Sequence, residues 1–240
     1  MQAVAIEMPS VSIMIEWGVG SATTRLCIYA APEMSPKTMP QAVDKTEALC
    51  VEALETLERT ELERVFHDAF LKSCARVFPR REGVEHADVL IQAPKESGKS
   101  TSIAMFAAAM VTACPGLKLC VYTTCRQKSS EMLQSVLRFV GLIGVPKPAV
   151  LSVDDHELKF EGGCVVASYS SKVCSTRGMD SDVIIIDDAA LVDPAFIYET
   201  VAPALEGGGI SLICISTPTN DVNVYSRMCR HPAFQTLCVH

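Results

Sequence analysis

From about residue 84 onward, short continuously apolar runs alternate with stretches whose apolar residues recur at helical spacing. The runs Asp88–Ala93, Lys118–Thr123, Cys164–Ser170, Asp182–Asp187, Ile210–Thr217 and Phe234–Val239 read as strands. Lys99–Thr112, Gln127–Val140 and Pro194–Leu205 read as the helices between them. Strands apolar along their whole length belong to a mainly parallel sheet covered on both faces. Leu151–Ser170 predicts a hairpin turning near Glu161-Gly162-Gly163. Upstream, Leu49, Leu54, Leu57, Leu62, Val65, Phe66, Ala69 and Phe70 set out one or two amphipathic helices between Gln41 and Val77, packed on the sheet domain. Residues 1–36 hold short apolar runs (Val11–Trp17, Leu26–Ala31) that suggest short strands. The expected division is therefore an N-terminal region over 1–83, mixed then helical, and an α/β domain over 84–240.

The chain has 240 residues, 49 % of them hydrophobic, with a mean hydropathy of +0.25, enough for one large core-rich domain with an appendage. A net charge of −7 argues against coating nucleic acid by bulk charge, and a single Trp gives little material for stacking on bases. Eleven cysteines, an odd number without a CxxC pair, suit free thiols in a reducing compartment better than a disulfide frame or a zinc site. No basic segment leads the N-terminal apolar residues, and the longest apolar stretch, Ile103–Cys114, is too short for a membrane span. A soluble intracellular protein without a membrane partner is expected. The chain stops at Cys238-Val239-His240, inside a predicted buried strand, so a fragment or one exon of a longer protein is also expected.

The first apolar run turns into Ala93-Pro94-Lys95-Glu96-Ser97-Gly98-Lys99-Ser100. This is a GxxxxGK[ST] phosphate loop with Ala93 in place of the first glycine. Gly98 allows close backbone approach, Lys99 can reach the β- and γ-phosphates, and the Ser100 hydroxyl can ligate Mg²⁺. The following helix adds the positive end of its dipole. Val183-Ile184-Ile185-Ile186 delivers Asp187 and Asp188 at a second strand end. Asp187 is the expected Mg²⁺ ligand, and Asp188 the carboxylate that polarises the attacking water. Each fragment alone has a plain structural reading, a chance Gly-Lys-Ser or a helix cap; their order points to an ATP site. The fold expected is a P-loop NTPase of the additional-strand, RecA-like type with an N-terminal helical appendage. In that class a third strand lies between the two motif strands. Ile213-Cys214-Ile215-Ser216-Thr217-Pro218-Thr219-Asn220 supplies it, with Ser216, Thr217 or Asn220 as sensors of the γ-phosphate. Lys95 and Arg177 are the candidate donors of positive charge to the transferring phosphoryl group, with Arg126 a weaker one.

The ordered set Pro94–Ser100, Tyr122-Thr123-Thr124, Arg177-Gly178-Met179-Asp180, Ile184–Ala190 and Ser216-Thr217-Pro218 resembles the ATPase half of a large terminase subunit. The closest flavour is the ATPase-nuclease of the herpesvirus tripartite terminase, and the resemblance covers roughly residues 84–240. It implies a motor that hydrolyses ATP to push double-stranded DNA into a preformed capsid. It also implies assembly as a ring on the portal with other terminase subunits, and location in the host nucleus. Lys95 stands where that family usually has Arg, and Asp188 where it usually has Glu. The family's C-terminal nuclease domain has no counterpart here, so no nuclease activity is expected from this chain. Two further readings stay open on the residues: a superfamily-2-like helicase or translocase, and a nucleotide-binding scaffold without turnover.

Overall fold

Most of the apolar runs become strands of one eight-stranded sheet. The structure, a computed structural model, describes residues 13–19, 22–28, 48–49, 60–74, 88–143, 147–172, 181–206, 211–219, 223–230 and 235–238. Strands β1 (Ile13–Val19) and β2 (Ala22–Ile28) make a separate antiparallel pair. The large sheet contains β3 (Val89–Gln92), β4 (Lys118–Thr123), β5 (Val150–Val153), β6 (Glu157–Phe160), β7 (Val165–Ser170), β8 (Val183–Asp187), β9 (Ser211–Ser216) and β10 (Gln235–Cys238). Its order is β10-β3-β9-β8-β4-β7-β6-β5. Pairing is parallel from β10 through β7 and antiparallel across β6 and β5. The expected third strand, β9, thus lies between β3 and β8.

Alternation along the central strands explains why they are apolar throughout. Val89, Ile91, Leu119, Val121, Val183, Ile185, Ile213 and Ile215 belong to one core. Their neighbours Leu90, Cys120, Tyr122, Ile184, Ile186, Leu212 and Cys214 belong to a second core on the opposite face. The first core is closed by helices α1 (Glu61–Cys74), α2 (Lys99–Ala113) and α3 (Arg126–Leu142). Residues 102–111 of α2 are buried without a break, as expected of a helix that is apolar all round and wedged inside a domain. Phe66 and Phe70 of α1 are fully buried, and Phe70 meets Phe106 of α2 edge to face at 5.6 Å. The N-terminal helix therefore shares the core of the sheet domain.

Two expectations change in detail. Pro194–Leu205 is not one regular helix but α4 (Pro194–Phe196), a π-helical turn (Ile197–Val201) and α5 (Ala202–Glu206). Pro203 has no N–H to give the Glu199 carbonyl and its ring crowds that group, which disfavours regular α-helix there. The Leu151–Ser170 hairpin is a three-stranded meander. Its second reversal does fall at Glu161–Gly163, with Gly162 and Gly163 at φ 81° and 82°. Its first is made by Asp154, whose Oδ1 accepts from the His156 and Glu157 N–H groups at 2.9 and 2.7 Å. Of the predicted 41–77 helical stretch, 61–74 and 48–49 are helical and Thr60 caps the former; the remainder lies outside the described residues.

Phe106→Ala should lower stability by about 3–5 kcal/mol, because the cavity opens beneath both Phe70 and the sheet. Leu151→Ala, on a side chain 68 % exposed, should stay within about 0.5 kcal/mol of the native chain. Urea unfolding of the two variants beside the native protein measures both.

Candidate nucleotide site

The loop between β3 and α2 turns through two left-handed residues, Glu96 at φ 61° and Gly98 at φ 80°. Glycine takes that conformation freely, whereas Glu96 adopts it at a steric cost. Gly98 is also the N-cap of α2, and no side chain caps this end or places an acid in its first turn. The first N–H groups of a long helix are thus left for an anion, and its dipole favours one. Lys99 Nζ donates to the carbonyl oxygens of Pro94 at 2.5 Å and Ala93 at 3.4 Å, so the ammonium lies folded over its own loop. Burial lowers the Lys99 pKa; the carboxylates of Asp188 and Asp187 oppose that, and the charge of Lys95 adds to it. Ala93 is fully buried, with its N–H on the Ser216 carbonyl at 3.1 Å.

The parallel order brings the two motif strands to the same end of the sheet. Ser100, in the first turn of α2, donates to Asp187 Oδ2 at 2.7 Å. Asp187 is 3 % exposed, and Oδ1 has no hydrogen-bond partner among the described residues. Burial raises the Asp187 pKa, the Ser100 hydrogen bond works against this, and the neighbouring charge of Asp188 adds to the rise. An uncompensated oxygen beside a hydroxyl is a donor set that suits Mg²⁺, a hard cation held by one or two side chains plus the phosphates of its substrate. No cluster of three or more His, Cys, Asp or Glu able to hold a metal occurs among the described residues, so no all-protein cage is present there.

Asp188 ends the strand's alternation in a left-handed turn, φ 56° and ψ 43°. Its Oδ2 accepts from Lys128 Nζ at 2.6 Å, with side-chain exposures of 22 % and 47 %. The hydrogen bond to Asp188 raises the Lys128 pKa, against the effect of burial. Lys128 was not singled out from sequence; it is the third residue of a helix that starts beyond β4, the strand next to β8. Arg126, two residues earlier, instead makes an exposed pair with Asp155 at 2.8 Å.

At the tip of β9, Ser216 is buried, and its Oγ accepts from the Ala190 N–H at 3.1 Å. Ser216 thereby ties the phosphate loop through Ala93 to the acidic turn through Ala190. Thr217 is half-buried at the same end, and Lys95 is exposed. Asn223 was not anticipated. Its Nδ2 donates to the Ala190 carbonyl at 3.3 Å and to Thr219 Oγ1 at 3.1 Å, while its Oδ1 caps α6 (Val224–Met228). Tyr225 of α6 then donates to the Ile91 carbonyl of β3 at 2.5 Å. Arg177 and Asn220 lie outside the described residues.

A β3-β9-β8-β4 order, with a phosphate loop after β3 and carboxylates after β8, defines a P-loop nucleotide-binding fold of the additional-strand type. No protein-family model and no curated protein sequence matches the chain. Solved structures do. The large terminase ATPase domain of Thermus phage P74-26 superposes with a TM-score of 0.56 at 16 % identity, over 78 % of this chain and 82 % of that one. The bacteriophage HK97 large terminase gives 0.60 at 16 % identity, over 82 % of this chain and 42 % of that one. The large terminase of a thermophilic bacteriophage in complex with ADP gives 0.55 at 9 % identity, over 75 % of this chain and 45 % of that one. The chain has the fold of a large terminase ATPase domain.

Two outcomes are expected. The raised pKa of Asp187 means that the folded state binds its proton more tightly than the unfolded state, so this group's contribution favours folding at low pH. That contribution is complete below the unfolded pKa and is lost as pH rises through the folded one. Asp187→Asn should therefore melt higher than the native protein at neutral pH without metal, with the gain shrinking toward pH 4; melting curves across pH show it. The Lys128–Asp188 pair is partly exposed, so a double-mutant cycle of alanine variants in urea should give a coupling of about 0.3–1 kcal/mol.

Proposed function

We propose that this chain is the ATP-hydrolysing motor domain of a viral DNA-packaging terminase, which drives double-stranded DNA into a preformed capsid. The observation that carries the reading is the meeting of Ser100 and Asp187 at 2.7 Å beside the uncapped N-terminus of α2, in a fold shared with large terminase ATPase domains. The α2 N–H groups and Lys99 would receive the phosphates of ATP. Lys99 turns from its own loop carbonyls to those oxygens, exchanging neutral acceptors for charged ones. Ser100 and Asp187 would hold Mg²⁺, which neutralises charge on the phosphates when bound. Asp188 would orient the attacking water, and Lys95 or Arg177 would stabilise charge on the transferring group. Ser216, Thr217 and Asn220 would sense the γ-phosphate through the strand between the two motifs.

Partners follow from the same reading: duplex DNA, the capsid portal, other terminase subunits and further copies of this chain in a ring. The large terminases of HK97 and of the thermophilic phage are longer than this chain, which covers 42 % and 45 % of them, and only the ATPase part is proposed here. The herpesvirus-type assignment, and with it the host nucleus, rests on the Arg177-Gly178-Met179-Asp180 step alone.

The test is steady-state ATP hydrolysis with and without linear duplex DNA, beside Lys99→Ala. Turnover that rises with DNA and falls at least about a hundredfold in Lys99→Ala, the scale of losing a group that stabilises transition-state charge, is expected. Turnover untouched by Lys99→Ala would overturn the site assignment. Binding of ATP without turnover, even with DNA, would leave the scaffold reading in its place.

A further inference from the structure

The phosphate loop is braced from behind by α1, a helix to which the proposed chemistry gives no role. His67, on that helix, is buried, and its Nδ1 lies 2.5 Å from Ser102 Oγ in α2. Ser102 Oγ in turn donates to the carbonyl of Gly98 at 3.0 Å. That carbonyl also accepts the Ser102 backbone N–H at 2.9 Å. A hydroxyl has one hydrogen. If Ser102 gives it to Gly98, the contact with His67 is one that Ser102 accepts and the proton sits on Nδ1; with the other tautomer Ser102 would donate to His67 instead. The other ring nitrogen then faces the α-carbon of the same glycine. A Cβ built on Gly98 would lie 3.3 Å from His67 Nε2 and 3.4 Å from Glu63 Cγ.

Gly98 thus has Ser102 on its carbonyl, while His67 and Glu63 line the side where a larger residue's side chain would stand. Glu63 and His67 are four residues apart, so they present one face of α1 to the loop. That face is itself fixed. Thr60 N–H donates to Glu63 Oε2 at 2.8 Å and the Glu63 N–H to Thr60 Oγ1 at 3.2 Å, a capping box that starts α1 at this point. Phe66 and Phe70 anchor the same helix in the core. A buried histidine needs a hydrogen-bond partner whatever its role. This one meets the residue whose φ of 80° turns the loop into α2, next to Lys99 and Ser100.

We infer that His67 is a positioning residue of the phosphate loop: through Ser102 it fixes the Gly98 carbonyl, and with it the direction of the next N–H groups along α2. The inference rests on the phosphate-binding reading of that loop. It makes nucleotide affinity depend on a helix outside the loop motif itself.

The test measures affinity of the full chain for a fluorescent ATP analogue with Mg²⁺, alongside a melting curve for each protein. His67→Ala and Ser102→Ala should each weaken binding by about five- to tenfold, the worth of one hydrogen bond, and the double variant should be no weaker than the worse single. His67→Asn places an amide N–H near the former Nδ1 and should recover most of the loss. A merely structural histidine would lower the melting temperature without this pattern. Native affinity in a folded His67→Ala, or no recovery in a folded His67→Asn, would overturn the inference. Should His67→Ala fail to fold, Ser102→Ala decides alone, and native affinity there overturns it equally. Absence of binding by the native chain would instead strike the phosphate-loop reading itself, and the brace with it.

Discussion

The hydrogen bond from Ser100 to Asp187 is the contact on which the rest of this molecule turns. The two residues are far apart in sequence: Ser100 opens α2, which follows β3, and Asp187 ends β8, with β9 between β3 and β8. They meet because all three strands run the same way and end at the same level: Gln92 is level with Ser216, and Asp187 with Ile215. Parallel strands gather their C-terminal loops along one edge of the sheet, where ligands of open α/β folds bind. Ser216 adds a cross-tie, its carbonyl on the phosphate loop and its hydroxyl on the acidic turn.

That edge is electrostatically costly. Asp187 is a buried carboxylate with one oxygen uncompensated among the described residues, and Lys99 has its pKa lowered by burial. Glu96 and Asp188 hold left-handed backbones that side chains disfavour. Two apolar cores, one on each face of the sheet, offset these local costs. Concentrating strain and desolvated charge at one edge is what a site for a highly charged, metal-bearing ligand requires. On the proposed reading, phosphates and a cation would offset these costs.

Much of this was legible in the chain. β3, β4, β8 and β9 are buried on both faces, so their sequences are apolar without alternation, and the phosphate loop and paired aspartates stand at their ends. The residues that escaped notice depend on placement in space rather than on pattern. Lys128 matters because a left-handed turn at Asp188 sends its carboxylate toward α3, and nothing in the local sequence specifies that turn. His67 reads as one polar residue in an amphipathic helix until α1 is laid against Gly98. Asn223 caps α6, and its second amide contact needs Ala190 beside it. The Asp154 turn of the meander is less obvious in sequence than the glycine pair, because it rests on one carboxylate accepting two N–H groups.

The central claim is that Ser100 and Asp187 form one half of a metal–nucleotide site, with phosphates as the other half. Titration calorimetry of a slowly hydrolysed ATP analogue into the native chain and Ser100→Ala, in Mg²⁺ and again in EDTA, tests it most directly. Mg²⁺ should tighten binding to the native protein, and Ser100→Ala should lose this increment while keeping the metal-free affinity that Lys99 and the α2 N–H groups supply. Equal affinity in Mg²⁺ and EDTA, or an unchanged Mg²⁺ increment in Ser100→Ala, would contradict it.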